Sequence, residues 1–420
     1  MKLFSWGRLK SIEPDIHNQY NPKLFDNLIC GNRLSYGDIC LNKKNITLNK
    51  NNKIISFDPK TEIVHLETGV TIGQLLNHFV EKSYFVYVTP GTKNVTVGGA
   101  VSNDVHGKEH HIHGSFGEWI EEIELINSEG TFICSKEENF ELFKATIGGL
   151  GLTGFIKTVK MKLKRISGNE ISRKTIKFKT IQEFTDLVEV NNKYTYNVAW
   201  FDSFSYNKGK LKGLFYVGEF NNSLNKRKGK RTNFLFSKLP SFLLNKLTIR
   251  ILNWLIYNSK RSQESQDTVS YETFFYPLDK IQNWNHIYGK KGFYQFQCLL
   301  PVNNFENAFE EIMNFANRQG SFLSVLKIMS NQNQNSFLSF PKPGITVAMD
   351  FKNESSDTKK MISSMYDIVG KYQGRIYLAK DSLLTSEQFH QMYDASSFSK
   401  YKDKNLNSLM WERLNSEKNI

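Results

Sequence analysis

The stretch that decides the reading is Thr89 to Gly117, TPGTKNVTVGGAVSNDVHGKEHHIHGSFG, with six glycines and four of the chain's nine histidines in 29 residues. Three explanations compete: a metal site, a loop that cradles a phosphate, or a stiff turn. The spacing of His106, His110, His111 and His113 matches neither HExxH nor a Cys/His finger, and no cysteine or carboxylate cluster accompanies it. No metal site is expected here. Glycine, by contrast, lets backbone amides approach a ligand closely, and successive amides form an anion nest without a lysine.

Working outward, glycine clusters recur at GNRLSYG (31 to 37) and GGLGLTG (148 to 154). No GxGxxG follows the first strand and no GxxxxGK[ST] occurs, so neither a Rossmann site nor a P-loop is supported. Three glycine-rich loops in one region suggest an extended ligand laid across it.

The surrounding pattern is globular. VTIGQLLNHFVEKS has helical spacing, and GEWIEEIELINSEGTFICS reads as a hairpin turning at Ser128-Glu129-Gly130. ENFELFKATIG is a short helix, FIKTVKMKLKRI a half-buried strand, and Ser167-Gly168 a domain boundary. From 169 to 374, strand-like segments (YTYNVAWFDSF, GFYQFQCLLP, GITVAMDF) alternate with helical ones, which predicts an α+β unit around an antiparallel sheet.

The formal net charge of +14 favours anionic partners, although a Lys- and Asn-rich background accounts for much of it. Cys30, Cys40, Cys134 and Cys298 form no CxxC pair, so a disulfide framework is not expected. The N-terminus lacks an apolar signal core and no run reaches membrane-spanning length, which predicts a cytoplasmic protein. At 225 to 231, NKRKGKR lacks interleaved aromatics, so no nucleic-acid partner is expected. In the segment after it, Leu243, Leu244, Leu247, Ile251, Leu252, Trp254 and Leu255 share a helical face opposite Asn245, Lys246, Arg250 and Asn253. That face is either core or a basic amphipathic surface for a membrane.

GNRLSYGD, the quoted stretch and GGLGLTGFI together resemble the flavin-binding segments of FAD-linked oxidases of the vanillyl-alcohol oxidase superfamily. The likeness continues through YTYNVAWFDS, SFLSVLKIMSNQNQ, LSFPKPG and GRIYLAKDS, and is strongest toward oxidases of polyprenyl-phosphoryl pentoses. It implies a two-part FAD-binding domain, 1–168 with a returning 375–420, and an inserted antiparallel-sheet substrate domain at 169–374. FAD, held without a covalent link, would contact Gly31, Asn32, Arg33, Leu34, Ser35, Tyr36, Gly37 and Asp38. It would also contact Gly91, Thr96, Val97, Gly98, Gly99, Asn103, Asp104, Val105, His106, Ile156 and Tyr377, with its pyrophosphate on 31–38 and 96–99.

The same resemblance makes Lys380 the catalytic lysine, with His106 beside the flavin ring and Tyr36 at the reacting centre. Lys108, Gln295, Gln297, Lys327 and Lys380 would line the substrate cavity, Lys108 and Lys327 meeting a phosphate. The implied reaction oxidises a sugar hydroxyl of a lipid-linked phosphoryl sugar to a ketone. An NAD(P)H-dependent short-chain reductase would complete the epimerisation, and residues 234–256 would touch the inner face of the plasma membrane. An alternative is a soluble FAD oxidase of a free sugar, alditol or aldonolactone. Two residues depart from the pattern: Arg33 replaces the loop's second glycine, and Ala348 replaces an active-site cysteine.

Overall fold

From the N-terminus an antiparallel pair of two-residue strands, Leu3–Phe4 with Ser11–Ile12, is followed by three short parallel strands, β1 (Asp15–His17), β2 (Leu28–Cys30) and β3 (Lys44–Thr47), in the order β1-β3-β2. A computed structural model describes residues 2–17, 28–47, 50–223, 245–321, 323–330 and 336–416. The basic run at 225–231, and residues 234–244 of the amphipathic segment, lie outside the described residues.

An antiparallel sheet follows, built from β4 (Ile54–Asp58), β5 (Ile63–Glu67), β6 (Tyr84–Val86), β7 (Ile120–Asn127), β8 (Gly130–Ser135) and β9 (Phe155–Arg165). Its order is β8-β7-β9-β5-β4, with β6 pairing the far end of β9. Helix α1 (Ile72–Phe79) forms where the sequence places it because Thr71 and Gln74 make a reciprocal capping box. Its Ile72, Leu75, Leu76 and Phe79 are buried against the sheet's core. The quoted stretch then carries α2 (Val97–Ser102), whose start is capped by the Thr96 hydroxyl.

A second sheet has eight strands, all antiparallel: β10 (Glu170–Thr180), β11 (Tyr196–Phe201), β12 (Lys210–Phe220), β13 (Glu264–Ser270), β14 (Phe293–Leu300), β15 (Ser324–Met329), β16 (Gly344–Lys352) and β17 (Arg375–Ile376). The order is β13-β10-β12-β11-β15-β16-β14-β17. The sheet thus takes in two residues beyond the expected boundary at 374.

Alternation along these strands sorts their side chains between two environments. On β14, Phe296, Cys298 and Leu300 enter the core, packed with residues of the helices at Phe305–Ala316 and Ser356–Lys371. Gln295 and Gln297 of the same strand point to the opposite face, into a cavity. On β16, Val347 and Met349 are core, while Thr346 and Asp350 hydrogen-bond to Gln297 and Gln295 on the cavity face.

The chain's last segment returns to the first part. Arg413 reaches Asp38 at 2.9 Å and Asp381 at 2.8 Å. Leu409 N–H donates to the carbonyl of Leu41, and the Asp403 carboxylate accepts from Ser128 N–H.

The amphipathic helix, α3 (Lys246–Asn258), is oriented unlike an ordinary core helix. Leu247 is 67% exposed and Trp254 59% exposed, and Ile251, Leu252 and Leu255 also face solvent. Asn253, expected on the outer polar side, is instead fully buried. Its amide donates to the Asp202 carboxylate at 2.7 Å and to the Ser321 carbonyl at 3.2 Å, which offsets the cost of burial.

Candidate active site

A cavity of about 2600 Å³ lies between the glycine-rich loops and the polar face of the large sheet. That is far above the roughly 300–1,000 Å³ of a site for one drug-sized ligand. One wall is the loop Gly31 to Tyr36 with Gly91, Thr96, Gly98, Gly99, Asn103, Val105, His106, Lys108 and Ile156. Gln295, Gln297, Lys327, Ala348, Tyr377 and Lys380 form the facing wall. Most of the residues singled out from the sequence are therefore brought together, although they span nearly the whole chain.

The loop chemistry suits an anion. Among the described residues, no acceptor receives the amides of Asn32, Arg33, Leu34 and Ser35, which leaves four successive donors at the cavity. Arg33 holds φ +53°, the left-handed region a glycine would favour, and its guanidinium bonds to Thr47 Oγ1 at 2.5 Å. The replacement of glycine by arginine thus keeps the turn. At the second loop the expectation needs correcting. The amides of Val97, Gly98 and Gly99 already donate to Val70 O, Thr68 O and Thr96 Oγ1, so they offer no donor to a ligand, whereas those of 32–35 find no acceptor among the described residues. Glycine is required at 98 for a different reason: a Cβ there would press on Thr68.

Four residues expected to touch the cofactor stand behind the wall instead. Gly37 packs so closely on Asp381 that a Cβ would collide with its carbonyl. Asp38 is fully buried and paired with Lys10 and Arg413, whose charges hold its carboxyl below the usual range despite burial. Val97 is core. Asp104 accepts from Gly117 N–H and from the Ser339 hydroxyl, pinning the loop.

The catalytic candidates converge. His106 is 6% exposed, its Nε2 lies 2.9 Å from the Gln297 amide nitrogen, and its Nδ1 is buried with no partner among the described residues. Burial first, then the charges of Lys327, His110 and Lys380, push its pKa well down, so the ring is neutral. Tyr377 sits beside it, with its hydroxyl donating to the Asn103 carbonyl at 3.2 Å. The Lys380 ammonium lies over the Tyr36 ring, 3.7 Å from the centroid.

Three lysines share this space. Burial pushes Lys108 down to about 7 and Lys327 to about 8, and also lowers Lys380. Lys108 Nζ donates to the Phe275 carbonyl at 3.3 Å. His110, His111 and His113 turn away: His110 bonds to Ser330, His111 to Tyr194 O and Asn197, and His113 packs edge-on against Tyr87 and Trp119. No group of three His, Cys, Asp or Glu that could hold a metal occurs among the described residues.

Sequence reading missed Asp350. Its carboxylate accepts from Gln295 at 2.6 Å and from the Tyr288 hydroxyl at 3.1 Å, and burial raises its pKa. The available signal was the carboxylate in the otherwise apolar strand GITVAMDF.

A donor-lined loop, a neutral buried histidine, an unpartnered imidazole nitrogen and a lysine held over a tyrosine fit a redox cofactor with a phosphate-bearing tail. They define the class: an FAD-dependent oxidoreductase acting on CH–OH groups. A family model described as FAD binding domain matches residues 26–135. The decaprenylphosphoryl-beta-D-ribose oxidase of Mycolicibacterium smegmatis (strain ATCC 700084 / mc(2)155) is 31% identical over 93% of this chain and 91% of its own. A putative D-arabinono-1,4-lactone oxidase of Neurospora crassa is 31% identical, but over 32% of this chain and 24% of its own. The Delta(24)-sterol reductase of Homo sapiens is 30% identical over 29% and 23%. The chain belongs to the vanillyl-alcohol oxidase superfamily of FAD-linked oxidases, in the family of decaprenylphosphoryl-beta-D-ribose oxidase, and its cofactor is FAD.

Proposed function

We propose that the protein oxidises the 2′-hydroxyl of a polyprenyl-phosphoryl pentose to a ketone, as the first half of an epimerisation in cell-envelope polysaccharide synthesis. The observation that carries this reading is the gathering of Lys108, Lys327 and Lys380 in one cavity beside the glycine-rich loop. Lys108 and Lys327, half-buried beside Lys380, concentrate positive charge in one cavity and call for anionic ligands. An FAD tail and a substrate phosphodiester supply that charge, whereas a free sugar supplies none. Similarity over 91% of a decaprenylphosphoryl-beta-D-ribose oxidase supports the same substrate class.

Gly31 to Tyr36, Gly91, Gly98, Gly99, Asn103, Val105, His106, Ile156 and Tyr377 would hold FAD without a covalent link. When bound, FAD supplies a two-electron acceptor for the hydride leaving the carbinol carbon. Lys380, made less basic by burial, takes the hydroxyl proton, so the C–H electrons leave as hydride and a C=O remains. Neutral His106 and the Gln297 amide orient the sugar. Tyr36 packs on the Lys380 ammonium and Gln295 ties Asp350 to the same network. Lys108 and Lys327 hold the phosphate.

The division into 1–168 with 375–420 and an inserted 169–374 is part of this proposal; the ties of Arg413 to Asp38 and Asp381 support it. An NAD(P)H-dependent short-chain reductase would then reduce the ketone. Among the described residues no helix is long and apolar enough to cross a membrane. A peripheral position at the inner face of the plasma membrane fits such a protein and its lipid-linked substrate.

Anaerobic bleaching of the enzyme-bound flavin by a panel of sugars tests the reading. Prenyl-phosphoryl pentoses should bleach it; bleaching only by free sugars, alditols or aldonolactones would establish the alternative that the lactone-oxidase similarity represents.

A further inference from the structure

Helix α3 has two working faces. Its inner face buries Ile249 in a cluster with Tyr36, Tyr288 and Phe293, and lines the cavity through Ile256 beside Trp200 and Tyr216. Its outer face presents Leu247, Ile251, Leu252, Trp254 and Leu255 to solvent, each between 44% and 67% exposed. One helix diameter, about 10 Å, therefore separates the substrate cavity from an apolar surface. An exposed patch of this kind marks an interaction site.

The charges around the patch select its occupant. Residues 245 to 261, NKLTIRILNWLIYNSKR, contain no acidic residue, and Lys246, Arg250 and Arg261 are cationic, while Lys260 is paired with Asp267 at 3.5 Å. An isologous pairing of two copies would set these cations against each other. Anionic lipid headgroups complement them, each cation near such a surface contributing about 1 kcal/mol. Trp254, with an apolar body and a polar N–H, suits the headgroup boundary. The helix spans only 13 residues, too short to cross a bilayer and suited to lying on one.

We infer that the outer face of α3 docks on an anionic bilayer, setting the Ile256–Trp200–Tyr216 wall of the cavity next to the lipid from which a prenyl chain extends. The inference rests on the lipid-linked substrate proposed above and gives that substrate its route: the sugar phosphate sits at Lys108 and Lys327 while the chain leaves along the apolar wall.

Flotation with vesicles of phosphatidylcholine, alone or mixed with phosphatidylglycerol, tests it on the FAD-loaded protein. Wild type should float with the mixed vesicles and stay behind with phosphatidylcholine alone. Leu247→Glu with Ile251→Glu, and separately Lys246→Glu with Arg250→Glu, should each lower the bound fraction about tenfold or more while flavin is retained. Flotation that ignores both pairs of substitutions, or wild type that stays soluble with both vesicles, would overturn the inference. So would a dimer, detected by light scattering, that Leu247→Glu with Ile251→Glu dissociates. Vesicle-free bleaching by a short prenyl-phosphoryl pentose reads the substrate proposal alone, so failure of docking and failure of that proposal give different results.

Discussion

The Lys380 ammonium stands 3.7 Å from the centre of the Tyr36 ring, and the Tyr36 amide donates to the Ala379 carbonyl at 2.9 Å. Residues from opposite ends of the chain are thus locked together in the cavity. Lys380→Ala should keep its flavin spectrum and lose about 10²- to 10⁴-fold in the anaerobic bleaching rate, the usual contribution of a positioned acid–base group. Unchanged bleaching would remove Lys380 from proton transfer.

Asp350 sets the charge on that lysine. A carboxylate nearby favours the ammonium form and so raises the Lys380 pKa against the effect of burial. In the proposed reaction neutral Lys380 is the base, so the rate should rise with pH through that pKa. Asp350→Asn removes the favourable charge, and the rising limb should move about one unit to lower pH. A limb that stays in place in a flavin-loaded variant would argue that Asp350 only packs.

Two cavity lysines make stability depend on pH. Lys108 and Lys327 titrate near 7 and 8 in the folded protein, both lowered by burial from an ordinary 10.5. Between those values and about 10.5 the unfolded chain holds more protons than the folded one, so stability should rise with pH there. At pH 6 both ammoniums are charged, and inorganic pyrophosphate should raise the melting temperature by several degrees more than at pH 9. Equal shifts at both pH values would show that these lysines do not receive the anion.

Two loop substitutions should diverge. Arg33→Gly relieves a left-handed residue, about 1–2 kcal/mol, and loses one hydrogen bond of similar worth, so melting temperature and flavin content should change little. Gly37→Ala drives a methyl into the Asp381 backbone, which cannot rotate aside, and should cost about 1–3 kcal/mol with loss of flavin. Thermal melts with flavin absorbance distinguish the two.

Ala348 lines the cavity opposite Gln297, where no thiol exists to be attacked. Thiol-directed inhibitors that occupy this cavity should leave the wild-type enzyme unmodified, while Ala348→Cys should form a one-to-one adduct visible by mass spectrometry. An adduct on the wild-type enzyme that maps to the cavity would show that another thiol, such as Cys30 or Cys40, takes that role.

Much of this was legible in the sequence because its signals are local. Helix α1 announces itself by its apolar spacing, and the hairpin β7–β8 by its strand pattern and turn. The interleaving of Gln295 and Gln297 with Phe296 and Cys298 marks a strand with one polar face. Asp350 was missed because one carboxylate in an apolar strand looks the same whether its partner is water or the Gln295 and Tyr288 side chains. The exposure of the α3 face stayed open for a related reason: an apolar stripe fixes which residues share a side, not which side faces out.

The sequence by itself determined the strand and helix pattern, the glycine loops, the family and FAD. Glycine content, alternation and helical spacing act within a few residues and are written in the chain. Tertiary structure alone decided which groups meet: Lys380 over Tyr36, Asp350 within the Gln295–Tyr288 network, and amides at 32–35 that find no acceptor among the described residues while those at 97–99 are spent. It also turned Asn253 inward and five apolar side chains of α3 outward. These outcomes depend on burial and charge summed over elements far apart in sequence, which no local pattern records.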